Sequence, residues 1–373
     1  MSTDEESPLR IKAFGKILLC GGYAILEPGN MGVVMNVDSG VTAQARRIPE
    51  PALRIISPQF KMDISFPVSQ LEKEGPELAL PDGIPSGAAF ILHAIGMCAE
   101  FLRDKDIAIP QMEITLTNDE TMTRPDGTKT GFGSSAASTV ALTAMMLRMA
   151  HVDDRDAVYA VACAAHRNAQ GGIGSNYDIA ASCYGAHVFI APDLPASGTM
   201  MTYKDITAST PAIFSWPESL LTLTAFTGES ASTIAMVNKV REWKSSSPAE
   251  YSAFMGSYEK INRDVYRTIG SGPSGEICAA LSTSWEKRKE LGILSGAPIE
   301  TEKHTMLLNG LREHGAAAAH FVGAGGGDAI LAICKDEAER VKLADWIDSQ
   351  GLLVLDTRIG NMPYVTLGQN RLK

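Results

Sequence analysis

No apolar run in this sequence reaches the ~18 residues that a membrane-spanning helix needs, and the opening "MSTDEESPLR" is too polar and acidic for a secretory signal. Those two absences give the expectation of a cytoplasmic chain with no membrane partner. Positive charge is also scarce: 33 Lys and Arg stand against 43 Asp and Glu, a formal net charge of −10. A general nucleic-acid binder needs the opposite balance, because its affinity comes from counterions displaced by cations. An anionic small molecule is not excluded, since a few cations gathered in a cleft set the potential there. The six cysteines are dispersed without a C-x-x-C pair, and the seven histidines include no H-E-x-x-H. Zinc sites of those kinds are therefore absent from the sequence. The thiols read as buried small hydrophobes in a reducing compartment. No Walker A loop and no protein-kinase signature occurs either.

What is present is an ordinary globular composition, 45% hydrophobic and 20% charged over 373 residues, a length that suits two domains. "LRIKAFGKILLCGGYAILEPGN" reads as strands and turns broken by Gly15, Gly21, Gly22 and Pro28, and "VTAQARR", "LRIIS" and "MEITLTND" add strand candidates. Helical periodicity covers "SGAAFILHAIGMCAEFL", "SAASTVALTAMMLRMA" and "DDRDAVYAVACAAHRNA", the last with Asp153 or Asp154 as its N-cap. From Ala191 to Leu220 the chain is rich in Pro, Ser and Thr and loses periodicity, which marks a boundary. This gives a domain over 1–195, a linker over 196–219 and a second domain over 220–373. With its extra helices set aside, the second half follows the order β-α-β-β-α-β, which is ferredoxin-like. The fold class expected is α+β.

The most informative stretch is "DGTKTGFGSSAASTVAL", a glycine turn running through hydroxyls into a helix. A dinucleotide fingerprint would need a strand leading straight into the glycines and an acidic residue closing a second strand. Here "MEITLTND" ends well before Gly131, and Asp153 and Asp154 open a helix. The dinucleotide reading fails on that context. The physical content remains: Gly131 and Gly133 let backbone approach a ligand, and Ser134 and Ser135 stand at a helix N-terminus, where free N–H groups favour a phosphate. A second cluster, "FVGAGGGDAILAI", joins two strand candidates in the other half. Either loop alone is compatible with a plain turn. Together they suggest two domains closing on one phosphate-bearing ligand.

Three segments in order resemble the motifs of the GHMP small-molecule kinases: "AFGKILLCGGYAILEPGN", "KTGFGSSAAS" and "GAGGGDA". The resemblance covers nearly the whole chain. It implies an N-terminal ribosomal-protein-S5-domain-2-like α/β domain that binds ATP, and a ferredoxin-like C-terminal domain. "GGYAILEPGN", "AAHRNAQGGIGSNYDIAASCYG" and "STIAMVNKVREW" add a finer likeness to the members that act on mevalonate 5-phosphate. Most members place Glu where Gly22 stands, and some carry a magnesium-ligating Glu close to the place of Arg167.

The resemblance implies ATP with Mg²⁺, and mevalonate 5-phosphate as the small-molecule acceptor. It assigns catalysis to Lys16 and Asp178, where the alternatives are an exposed strand lysine and an N-cap aspartate. Lys129, Gly131, Phe132, Gly133, Ser134, Ser135 and Ala136 are expected around the ATP phosphates, with Ser135 as the metal ligand. Lys129 and Arg124 could equally face solvent. Tyr23, Ser175, Asn176, Ser232 and Thr233 join Lys16 and Asp178 as acceptor residues, although Ser232 and Thr233 could simply cap a helix. Gly323, Gly325, Gly326, Gly327 and Asp328 are expected to brace the ATP loop. Another acceptor (mevalonate, homoserine or a sugar), a decarboxylase of the same fold and a non-catalytic ligand sensor stay open.

Overall fold

The computed structural model describes residues 8–367 apart from 74, 76–77, 79–84, 125–126, 208–210, 229–232 and 328. The first half contributes strands β1 (Leu9–Cys20), β2 (Met31–Arg47), β3 (Ala52–Ser57), β4 (Met62–Pro67) and β5 (Met112–Asn118). Helices α1 (Val68–Leu71) and α2 (Ala89–Asp104) precede β5; α3 (Ser134–Met149), α4 (Arg155–Ala169), α5 (Tyr177–Tyr184), β6 (His187–Ile190) and β7 (Ala212–Ile213) follow it. The second half runs β8 (Leu221–Phe226), α6 (Thr233–Ser246), α7 (Pro248–Ser271), α8 (Ser274–Ser295) and α9 (Glu302–Glu313). Then come β9 (Ala318–Phe321), β10 (Ala329–Cys334), α10 (Glu337–Ser349), β11 (Leu353–Leu355), β12 (Ile359–Gly360) and β13 (Val365–Leu367). Among the described residues no helix is long and apolar enough to cross a membrane.

Two sheets organise these elements. The second has the order β11-β8-β10-β9 with every neighbour antiparallel, as the β-α-β-β-α-β reading requires. The first is nine-stranded, with a path β13-β1-β2-β5-β3-β4 and β6, β7 and β12 attached beside β2. A domain boundary near 220 would leave β12 and β13 in the second lobe, but they pair with β2 and β1 of the first. The lobes also share core. One apolar cluster joins Ile17, Val34 and Met35 to Val265, Leu281 and Trp285, and the Trp285 indole N–H donates to the carbonyl of Leu19 at 2.6 Å.

Gly15 does not break β1. The strand continues through it with a register shift between Phe14 and Lys16, a bulge that re-aims the side chain following it. Helix α3 is buried on nearly every face. Its Ala, Ser and Thr side chains are small enough to let the sheet, α2, α4 and α5 close around it. Asp154, rather than Asp153, caps α4: its carboxylate accepts from the N–H groups of Asp156 and Ala157 at 2.9 and 3.2 Å. All six cysteines are free and buried, and desolvation pushes the Cys20 and Cys98 thiols up to about 12.

Candidate active site

An open cleft of about 470 Å³ lies between the lobes, and Lys16 and the glycine turn form one wall of it. The bulge at Gly15 makes that wall possible. A Cβ there would sit 2.8 Å from the carbonyl oxygen of Phe132, so only glycine lets the turn lie against β1. The Lys16 N–H donates to that same oxygen at 2.9 Å, and Lys16 Nζ donates to the carbonyl of Gly131 at 3.1 Å. The ammonium also stands 5.5 Å from the centroid of the Tyr177 ring. Gly131 and Gly133 hold φ of +88° and +80°, and Gly133 is the N-cap of α3. A Cβ on Gly133 would fall 2.8 Å from Lys16 Cε. The turn therefore presents the first N–H groups of α3 and a lysine to the same space, which is an anion site.

A buried histidine links this wall to the next. His166 on α4 places Nε2 at 3.2 Å from the Ser135 hydroxyl and 3.3 Å from the Gln170 amide nitrogen. Its Nδ1 faces the Asp178 carboxylate at 3.9 Å. Burial holds this imidazole below the ordinary histidine value, against an opposing pull from Asp178. Asp178 lies in the first turn of α5, accepts from the Ile179 N–H at 3.0 Å and remains open to the cleft. Ser135, His166 and Asp178 thus form one line of polar groups behind Lys16.

The opposite wall comes from the second lobe: Thr233, Ile234 and Val237 of α6, with Gly323 and Ala324. Tyr23 ties the walls together. Held at φ +67°, it donates its hydroxyl to the carbonyl of Ala324 at 2.7 Å. Beneath it, buried Arg288 on α8 donates to the carbonyls of Gly323 and Phe321, both at 2.7 Å. Burial lowers the Arg288 pKa, with Tyr258 and Tyr23 pulling the other way. A Cβ on Gly22 would come 3.2 Å from Arg288 Cδ. Arg288 therefore fills the space that a longer residue at position 22 would take.

Residues 93–186 match the model described as GHMP kinases N terminal domain, and residues 270–348 the one described as GHMP kinases C terminal. The chain belongs to the GHMP kinases. A phosphomevalonate kinase of Gibberella zeae is 24% identical, with the match covering 93% of this chain and 93% of that protein. One from Saccharolobus solfataricus is 27% identical over 94% of this chain and 97% of its own. The solved Streptococcus pneumoniae phosphomevalonate kinase, in complex with phosphomevalonate and AMPPNP, has the same fold: its TM-score is 0.71 at 19% identity over 94% of this chain and 99% of that one.

In this GHMP kinase the cleft brings together Lys16, Tyr23, Lys129, Gly131, Gly133, Ser134, Ser135, Ser175, Asp178, Thr233 and Gly323. Other expected residues stand differently. Phe132 and Ala136 are core residues under the loop, and Phe132 acts through its carbonyl. Asn176 is buried with neither amide atom hydrogen-bonded and does not line the cleft. Arg124 turns to the Phe226 ring, 5.9 Å away. The bonds of the second glycine loop run to Ile299, through the Gly326 N–H at 2.8 Å, and to Tyr23. Arg288 also holds this loop through the Gly323 carbonyl, and among the described residues no hydrogen bond joins the loop to the ATP loop. Ser232 and Asp328 lie outside the described residues. Arg167 points away from Ser135, donating to the carbonyls of Gly174 and Pro195. The residue that faces the Ser135 hydroxyl is its neighbour His166, which sequence reasoning passed over within "AAHRNAQ".

Proposed function

We propose that this chain is a phosphomevalonate kinase, transferring the γ-phosphoryl group of ATP to the phosphate of mevalonate 5-phosphate in the cytoplasm. One observation carries the reading. Proteins of that name match the chain almost from end to end, and the glycine turn, Lys16 and Asp178 meet in one cleft.

Phosphoryl transfer of this kind is chiefly positioning and charge neutralisation. The acceptor phosphate has a second pKa near 6, so its attacking oxygen is already anionic at about pH 7 and needs no strong base. The obstacle is repulsion between donor and acceptor phosphates. Lys16 answers it by placing its ammonium beside the anion-binding turn, where Gly131 fixes it. The N–H groups after Gly133 hold the donor phosphates, and Lys129 adds a second cation on the same wall. Asp178, held by the Ile179 N–H and opposed by His166, orients Lys16 and the acceptor.

The donor set also suits ATP-bound magnesium. This ion takes oxygen ligands, keeps several waters and needs few protein groups, and Ser135 and Asp178 supply a hydroxyl and a carboxylate to the cleft. Those two residues would hold it. When bound it neutralises phosphate charge. The direct test measures ADP release with ATP and Mg²⁺ against mevalonate, mevalonate 5-phosphate and mevalonate 5-diphosphate, with phosphorus NMR of each product. Formation of a diphosphate from mevalonate 5-phosphate alone is the expected result. Turnover of a different member of the panel, or of none, overturns the acceptor.

A further inference from the structure

A second cavity of about 230 Å³ opens beside the cleft and shares Ile25, Leu26, Ile173, Gly174 and Ser175 with it. Phosphoryl transfer as derived above makes no use of this annex. Arg167, Arg241 and Lys244 line it, against one carboxylate, Glu27. That carboxylate is already engaged: Lys244 Nζ donates to its two oxygens at 2.7 and 2.8 Å, and the Tyr251 hydroxyl at 2.6 Å. Burial would raise the Glu27 carboxyl, and these donors outweigh it, so the group stays ionised below its usual range.

Two guanidiniums remain without a carboxylate partner among the described residues. Arg167 is buried on α4, bound only by carbonyl oxygens, and its Nε has no partner. Burial, then the neighbouring charge of Arg241, lowers its pKa. Two like charges held together at a cavity wall leave a place for an anion. The shared wall between annex and cleft is mainly apolar, built from Ile25, Leu26 and Ile173, with Gly174 and the Ser175 hydroxyl at its side. The surface thus runs from cations (Lys16, Lys129) across branched aliphatic side chains to cations again (Arg167, Arg241). Its complement is a short ligand with an aliphatic middle and an anion at each end.

We propose that the annex binds the carboxylate end of the acceptor, with Arg167 and Arg241 as its ligands, while the phosphate end lies at Lys16. The proposal rests on mevalonate 5-phosphate being the acceptor. A planar guanidinium matches a carboxylate through paired N–H donors, and a phosphorylated sugar, lacking that group, would leave both arginines unpaired.

The test compares the wild-type enzyme with Arg241→Gln and Arg167→Lys, using mevalonate 5-phosphate and its C1 primary amide. Arg241 is half-exposed on α6, so its replacement spares the fold, which a melting curve verifies. Losing a charge-assisted bond should raise the acceptor KM about ten- to a hundredfold in Arg241→Gln, with the ATP KM unchanged. The wild-type enzyme should show a similar rise on the amide, and Arg241→Gln should add little to it. Arg167→Lys, which keeps charge but loses the planar fork, should weaken the acid more than the amide. An unchanged acceptor KM in Arg241→Gln, or equal weakening of acid and amide, overturns the annex while leaving the kinase reading intact. Failure of the wild-type enzyme to use mevalonate 5-phosphate overturns both.

Discussion

The two glycine-rich loops look alike in sequence and serve opposite ends. In the first, Gly131 and Gly133 adopt positive φ so that backbone and Lys16 can meet a ligand in open space. In the second, Gly325 adopts φ +83° because the chain must pass another strand of backbone: a Cβ there would lie 2.6 Å from the carbonyl oxygen of Ile299. Glycine in one loop opens backbone to the cleft, and in the other makes room for packing. Chemistry should therefore fail first when the former is altered, and stability when the latter is.

The largest effect is expected at the residue that the first loop holds. Lys16→Met should lower kcat by about a thousandfold or more, the scale of losing a charge that stabilises a transition state, while affinity for a non-hydrolysable ATP analogue stays nearly constant. Retention of wild-type turnover would detach Lys16 from the chemistry. Gly133→Ala comes next. Its Cβ would displace the Lys16 side chain from 2.8 Å away, so kcat should fall tenfold or more, on the order of what a misplaced catalytic group costs. Its stability should fall by about 1 kcal/mol, the strain of alanine at a positive φ, and less than in Gly325→Ala.

The second loop should show the reverse. Gly325→Ala meets both a strained φ and the Ile299 carbonyl, and a loss of about 3 kcal/mol or more is expected from the two together. Gly323→Ala has a positive φ but nothing within 4 Å, so strain alone should cost about 1 kcal/mol. Denaturant titration of the pair separates packing from backbone strain, and equal losses would refute the packing account. Of the same size as the Gly323 change is Tyr23→Phe, which removes the hydroxyl that reaches Ala324 at about 1 kcal/mol. The acceptor KM should rise with little change in kcat.

Acid perturbs the molecule without any substitution. His320, stacked on Trp285, is held well below the ordinary histidine value by burial and then by Arg288 and Arg312. His166 is lowered by burial but drawn back by Asp178. Unfolded histidines bind protons below about pH 6.5, whereas these two take them up only at lower pH. The unfolded state therefore takes up more protons, and stability falls as pH drops through that value, by up to about 1.4 kcal/mol per unit for each histidine. Melting curves between pH 7.5 and 5.5 should show the decline, with His320→Gln flattening it more than His166→Gln.

Much of this was legible from local pattern. Helices α2, α3 and α4 announced themselves by periodicity, α4 with an N-cap as well, and the strands of the second sheet by short apolar runs of the right order. Lys16, Asp178 and both glycine loops stood in recognisable segments. What escaped depends on partners far away in sequence. β13 is a three-residue strand with no periodicity of its own, and it forms because Lys12 and its neighbours lie opposite. Arg288 sits among charged residues in "WEKRKE", where no local pattern marks it, yet the turn of α8 buries it. His166 could not be assigned before α4 was docked against Ser135. Gly15 looked like a strand breaker because its reason, the Phe132 carbonyl, belongs to another segment.

The return of the chain at its far end limits how the two lobes can move. The second lobe leaves the first after β7 and rejoins it at Arg358, whose carbonyl and N–H bond Asp38 at 2.9 Å each. It is thus tied to the first lobe at both ends of its chain, and between those ties by the core around Trp285 and the Tyr23–Ala324 bond. Any shift of one lobe against the other must therefore disturb buried packing as well as the cleft wall. A chain severed at 358 would lose one of its two chain connections and keep the shared core.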